Sequence, residues 1–350
     1  MKICIYKGSE ELVRRSGVGI AIRHQEKILR EAGCEIVDRI DDDTDAVHIN
    51  TVFPGSAVEA VIARLRGKTV IYYGHSTMED FRHSFKGSNF LAPVFRGWIK
   101  FCYRLGDVIL TPTAYSRSLL LRYGIKKPIV VLSNGIDLKQ FKPDGEKRKL
   151  FRQTYHLKDD EKVILSVGHY IERKGILEFL EMARKMPEVK FIWFGYTSPK
   201  LIPARIQKAI DEAPDNVIFP GYVEPKELTQ AYQGCDLFCF MSHEETEGIV
   251  VLEALASKIP VLVRDIPVYE GWLRNGVNVY KASDTDEFAV LAGKILDGQV
   301  PDLTEQGWKT ARERSFPEIA VRLKGIYRTY CHKKGTSPWK WRTLRENADH

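Results

Sequence analysis

The stretch "CDLFCFMSHEETEGIVVLEALASKIPVL", residues 235–262, decides the fold. It opens on a continuous apolar run of strand length (235–240) and passes through a polar loop, "MSHEETEG". A short apolar helix follows from near Gly248 through 257, and "PVLV" (260–263) is strand-like again. This is one β–α–β unit, and its strands read as apolar throughout rather than alternating. Such runs mark parallel strands covered on both faces. Ligands of parallel sheets bind outside the carboxyl ends of the strands, which is where this loop lies. The loop carries Glu244, Glu245 and Glu247 within four positions, and Glu253 stands inside the helix.

The same unit recurs along the chain. Strand candidates in the first half are 2–6, 46–50, 69–74, 107–112 and 128–132; those in the second half are 162–168, 190–195, 216–221, 235–240 and 260–263. Helical patterns lie between them, for example at 18–32, 174–186, 203–213 and 249–257. Repeated β–α units predict α/β domains with doubly wound parallel sheets. A total of 350 residues suits two of them. Residues 141–162 are rich in Pro, Gly and charge and read as an interdomain linker. The expected division is a first domain of 1–142 joined by a returning tail (316–350), and a second of 143–315.

Composition narrows the function. Apolar residues make up 44% and no run approaches 18 apolar residues, so a cytoplasmic protein without a membrane-spanning helix is expected. Six scattered cysteines without a CxxC pair read as reduced, inert thiols. The net charge of +7 is unevenly placed. Five Arg or Lys and no acid occupy 81–106; eight and no acid occupy 319–345. Both windows suggest an anionic partner, nucleic acid or lipid.

The loop of the opening stretch is suited to anionic ligands. The amides of Gly248, Ile249 and Val250 are the unpaired donors of a helix's first turn. With the helix dipole they form an anion site fit for a diphosphate. A carboxylate accepts two hydroxyl hydrogen bonds, so Glu245 and Glu253 suit a sugar and a ribose on either side of that diphosphate. Plain N-capping by Ser242 or the acids, with Glu253 exposed, accounts for these residues as well when the stretch is taken alone.

"SHEETEGIVVLEALA" (242–256) resembles the E-x7-E signature of retaining GT-B glycosyltransferases. "SGVG" (16–19) resembles that family's glycine loop, with Gly17 and Gly19. "LSNGIDLKQFKP" (132–143) is similar to its junction element and contains Asn134; "VGHYIERKG" (167–175) is similar to its phosphate element. The resemblance covers roughly residues 1–290. It implies two Rossmann-like domains facing across a cleft, with a C-terminal helix recrossing to the first. It further implies donor-sugar and ribose contacts from Glu245 and Glu253, a diphosphate contact from Lys174, and a donor-site role for His75, which follows strand 69–74. The family's usual arginine after V-G is His169 here, and Arg173 stands beside Lys174 as an alternative cation.

The implied reaction is a retaining transfer by front-side attack, with a UDP-hexose as donor. No Asp-x-Asp motif sits at a strand end, so no obligatory metal is expected. "FRHSFKGSNFLAPVFRGWIKFCYRLG" (81–106) mixes aromatics with Arg96, Lys100 and Arg104 around Trp98, and suits a helix lying in a membrane interface. A core helix with snorkelling cations is the plainer alternative. "KKGTSPWKWRTLR" (333–345) adds Trp339 and Trp341. "HSTMEDFRHSF", "YIERKG" and "EETEGIVVLEAL" together resemble the bacterial enzymes that glycosylate diacylglycerol, in particular those adding a second hexose. The expectation is therefore transfer of galactose, or else glucose, from a UDP-sugar to glucosyl-diacylglycerol by a peripheral enzyme on the inner face of the cell membrane. The alternatives are first-sugar transfer to diacylglycerol, or transfer to a polysaccharide intermediate. A nucleic-acid binder shows no recognition motif, and a dinucleotide oxidoreductase would need a G-x-G-x-x-G after strand 2–6, which is missing.

Overall fold

The computed structural model describes residues 1–8, 10–14, 16–84 and 87–331. The first sheet comprises β1 (Lys2–Tyr6), β2 (Glu35–Val37), β3 (Ala46–Ile49), β4 (Thr69–Tyr73), β5 (Val108–Thr111) and β6 (Ile129–Val131) in the order β2-β1-β3-β4-β5-β6. The second comprises β7 (Val163–Val167), β8 (Lys190–Phe194), β9 (Val217–Gly221), β10 (Leu237–Phe240), β11 (Val261–Arg264) and β12 (Tyr280–Ala282) in the order β12-β11-β10-β7-β8-β9. Every described pairing is parallel. The central strands are buried along their length, as their unbroken apolar runs require. The fold is two Rossmann-like domains, each built on a parallel six-stranded sheet.

The strand order reverses between β7 and β10 in the second sheet. Adjacent β–α crossovers leave that point in opposite directions, which opens a crevice at the strands' carboxyl ends. The loop after β7 (168–175) and the loop after β10 (241–248) meet there. Gly175 makes the meeting possible: its φ is +78°, and a Cβ at this position would collide with the Met241 backbone. The Arg173 carbonyl then accepts from the His243 amide (2.8 Å) and the Ser242 hydroxyl (3.3 Å).

Two edge strands, β2 and β12, lie outside the sequence expectation. Each is three residues long and partly exposed, so neither carries an apolar run. The segment expected as a linker is partly helical. Asp144 caps Gly145–Thr154 by accepting from the Glu146 and Lys147 amides, and Phe151 buries in the second core. Its charge and glycine content concealed an amphipathic helix. The helix Phe316–Tyr330 returns to the first domain, where Phe316, Ile319, Leu323 and Tyr327 pack with Ile28 and Leu29. All six cysteines are free, and Cys235 and Cys239 are buried within the second core.

Candidate active site

The cleft between the domains is lined from the first domain by Gly17, His75, Asp80 and Asn134, and from the second by His169, Arg173, Lys174, Glu245 and the 246–250 backbone. Gly248 precedes the helix Ile249–Ala256 with φ +88°. In this left-handed conformation it turns the chain so that the helix's first amides are left for a ligand. A side chain on Gly248 would press on the Tyr269 hydroxyl, 3.2 Å from the added carbon.

Glu245 is 7% exposed and ion-paired with Lys174. Ser242 donates to the same carboxylate oxygen at 2.7 Å, and the Arg173 guanidinium lies 3.7 Å away. Burial pushes the Glu245 pKa up, but Lys174 and Arg173 outweigh it, so the carboxyl stays below its ordinary value. Burial lowers Lys174, with Glu245 opposing. The pair therefore brings a carboxylate and an ammonium together at the crevice, a hydroxyl acceptor beside a phosphate ligand.

The two candidate cations beside Lys174 differ in character. The Nδ1 of His169 donates to the Tyr196 carbonyl at 2.5 Å, and burial lowers the ring's pKa. That direction favours the neutral imidazole. Arg173 is already engaged. It pairs with Asp80 at 2.9 Å, donates to Ser84 Oγ at 3.3 Å and to the Glu244 carbonyl. Asp80 and Ser84 belong to the first domain, so Arg173 bridges the cleft.

His75 is stacked on Tyr73, centroids 4.3 Å apart, with Nε2 3.2 Å from Asn50 Oδ1. Burial pushes its pKa down to about 3, so it serves as a neutral hydrogen-bonding group. Glu253 is 4% exposed and not among the described residues lining the cleft. Tyr232 Oη donates to it at 2.8 Å, and burial raises its pKa to about 7. Its burial rules out the exposed-helix alternative. Gly19 also lies away from the cleft lining and packs against the Val13–Arg14 backbone.

Sequence reading missed three cross-domain partners: Asp80, Tyr115 and Glu247. Tyr115 Oη donates to Glu244 at 3.0 Å, and the Thr113 and Ser116 hydroxyls each donate to the Thr246 carbonyl at 2.9 Å. Glu247 accepts from the Asn134 amide at 3.0 Å. These partners lie more than ninety positions apart, beyond any local pattern.

In the basic window, the helix Ser88–Arg104 leaves Phe90, Leu91, Val94 and Phe101 exposed beside Arg96 and Arg104. Trp98 departs from its expected place in the headgroup zone. It is half-buried, and its indole N–H donates to the Val52 carbonyl at 2.6 Å. Lys100 is half-buried as well. Lys86, Trp339 and Trp341 lie outside the described residues. No helix among the described residues is long and apolar enough to cross a membrane.

A family model described as "Glycosyl transferases group 1" matches residues 147–314, and one described as "Glycosyltransferase Family 4" matches 11–140. A processive diacylglycerol alpha-glucosyltransferase of Acholeplasma laidlawii is 41% identical over 329 residues, covering 93% of this chain and 98% of that protein. This chain belongs to the group 1 GT-B glycosyltransferases. It is a hexosyltransferase. An alpha-galactosylglucosyldiacylglycerol synthase of Streptococcus pneumoniae is 23% identical to this glycosyltransferase over 316 residues, 88% of this chain and 84% of that protein. The crystal structure of Anabaena HepE in complex with UDP-glucose superposes with TM-score 0.75 at 16% identity, covering 94% of this enzyme and all of that chain. That likeness is one of fold.

Proposed function

We propose that this hexosyltransferase transfers an α-glucosyl group from UDP-glucose to diacylglycerol, and onward to its own product, with retention of configuration. The observation that carries this reading is the 41% identity to a processive diacylglycerol alpha-glucosyltransferase along nearly the whole of both chains. It favours first-sugar transfer over the second-sugar expectation, which has a relative at only 23% identity beside it.

The cleft supports the chemistry. In this reading the donor diphosphate takes the amides of Gly248, Ile249 and Val250 together with Lys174. Glu245 accepts hydroxyls of the hexose, Gly17 approaches the donor from the first domain, and His75 accepts or donates as a neutral ring. The acceptor hydroxyl attacks C1 from the face the diphosphate leaves, and the departing phosphate takes its proton. The protein contributes positioning and charge stabilisation, and this scheme invokes no resident metal.

The acceptor is a lipid, which motivates a membrane role for the Ser88–Arg104 helix. Its outward Phe90, 87% exposed, and Val94, 72% exposed, would enter an anionic bilayer, with Arg96 and Arg104 at the headgroups. In this reading the enzyme is peripheral, and the inner face of the membrane is the face proposed for it.

The test uses radiolabelled UDP-glucose and UDP-galactose with vesicles containing diacylglycerol or glucosyl-diacylglycerol, followed by thin-layer separation. Label from UDP-glucose should appear first in monoglucosyl-diacylglycerol and then in a diglucosyl lipid. Product only from glucosyl-diacylglycerol would restore the second-sugar reading. Absence of any lipid product would point to a soluble acceptor.

A further inference from the structure

Glu247 is 1% exposed and lies in the loop after β10, yet its carboxylate is held entirely by the first domain's end. Ser133 Oγ donates to Oε1 at 2.5 Å. The backbone N–H of Asn134 donates to Oε2 at 3.0 Å, and its side-chain Nδ2 donates to the same oxygen at 2.7 Å. Ser133 Oγ in turn accepts from the Gly135 amide at 3.1 Å.

This arrangement fixes a direction. Oε2 faces two N–H groups, so it is an acceptor whether or not the carboxyl carries a proton on its other oxygen. An acceptor on that side forces the amide nitrogen of Asn134 inward and its carbonyl oxygen the other way. Asn134 is 2% exposed and lines the cleft, and its Oδ1 takes no hydrogen bond from any described residue. A sealed carbonyl oxygen without a donor is costly, and in a native protein it calls for a specific partner.

We propose that Glu247 is a positioning residue that turns the Asn134 amide so that Oδ1 accepts a hydroxyl group of the substrate bound in the cleft. Loss of that hydroxyl leaves Oδ1 unpaired, so the contact discriminates between sugars by hydroxyl position. The inference builds on the donor-and-acceptor reading of the cleft above. Glucose of the donor and glucose of a glycosylated acceptor both offer the required group.

The experiment compares UDP-glucose with its 2-, 3-, 4- and 6-deoxy analogues by direct binding without acceptor, and deoxyglucosyl-diacylglycerols as acceptors by kcat/KM. Wild-type protein should lose about 10-fold or more on one analogue of one series. In Asn134→Ala that analogue and its parent should fall within about 2-fold of each other. Glu247→Leu should lose the same discrimination. Glu247→Gln should keep it, since a glutamine carbonyl still accepts from both Asn134 N–H groups. Melting temperatures separate this from unfolding, and if Glu247→Leu does not fold, Asn134→Ala and Glu247→Gln still decide. The series that responds identifies the hydroxyl's source. Discrimination that persists in Asn134→Ala on both series, or is missing from wild-type protein on both, overturns the proposal. Its loss in Glu247→Gln alongside a retained fold overturns the part assigned to Glu247. The donor-binding series needs no turnover, so failure of lipid glycosylation would not be mistaken for failure of this contact.

Discussion

Asp80 should act on catalysis through Arg173 alone. The two side chains meet at 2.9 Å across the cleft, Arg173 9% exposed and Asp80 32% exposed. Breaking a fully buried pair costs about 3–5 kcal/mol, and a fully exposed one contributes about 0–1 kcal/mol. Asp80's partial exposure places this pair between them, at roughly 1–2 kcal/mol of coupling. Asp80→Ala should therefore lower kcat/KM about tenfold, since about 1.4 kcal/mol is a factor of ten. Arg173→Ala should cost more, because it also removes the second cation beside Glu245 and a donor to the Glu244 carbonyl. In the Arg173→Ala background, adding Asp80→Ala should change kcat/KM by less than about 2-fold. His169→Ala should be milder than Arg173→Ala, because a neutral imidazole donating to Tyr196 offers a phosphate no charge. The assay is a double-mutant cycle on initial rates at saturating acceptor. Losses that multiply independently would show that Asp80 does not work through Arg173, and a His169→Ala lesion worse than Arg173→Ala would overturn the assignment of cations in the cleft.

Three more perturbations test other parts of the site. Glu245→Ala should cut kcat/KM by about 100-fold or more, roughly 2.7 kcal/mol, if its charged hydrogen bonds strengthen in the transition state; near-normal turnover in a folded variant would remove Glu245 from the site. Glu253 ordinarily titrates near 4.5 and is raised to about 7 by burial. The folded state therefore binds the extra proton between those values, and stability falls as pH rises through that window, with the full cost present above it. Glu253→Gln should accordingly stabilise the protein by about 2–3 kcal/mol at pH 8 and by little near pH 4.5, and a melting difference independent of pH would contradict this. Replacing Arg96, Lys100 and Arg104 by Ser should weaken binding to phosphatidylglycerol vesicles by tens-fold at low salt without altering UDP affinity, as each cation near such a surface contributes roughly 1 kcal/mol; co-sedimentation that is equal on neutral and anionic vesicles, or absent from both, would refute the membrane reading.

The parallel sheets were legible because a strand covered on both faces must be apolar throughout, and such runs survive in one dimension. The helix start at Gly248 was legible too, since the change from acids to an apolar run coincides with a glycine where the chain turns. Lys174 and Glu245 were named from the sequence as site residues, but their contact was not visible in it. Contacts across the cleft follow a different rule. Asp80 meets Arg173, and Glu247 meets Asn134 at a separation of 113 positions. No period or cap encodes such pairs, because they arise only when two separately folded sheets settle against each other. The same holds for charge. The sequence marks Glu253, His75 and His169 as ionisable, but burial decides that the two imidazoles are neutral and that the carboxyl titrates near neutrality. Chain order determined which groups are present at the strand ends, and desolvation and partnership in the tertiary structure decided which of them carry charge and which way they point.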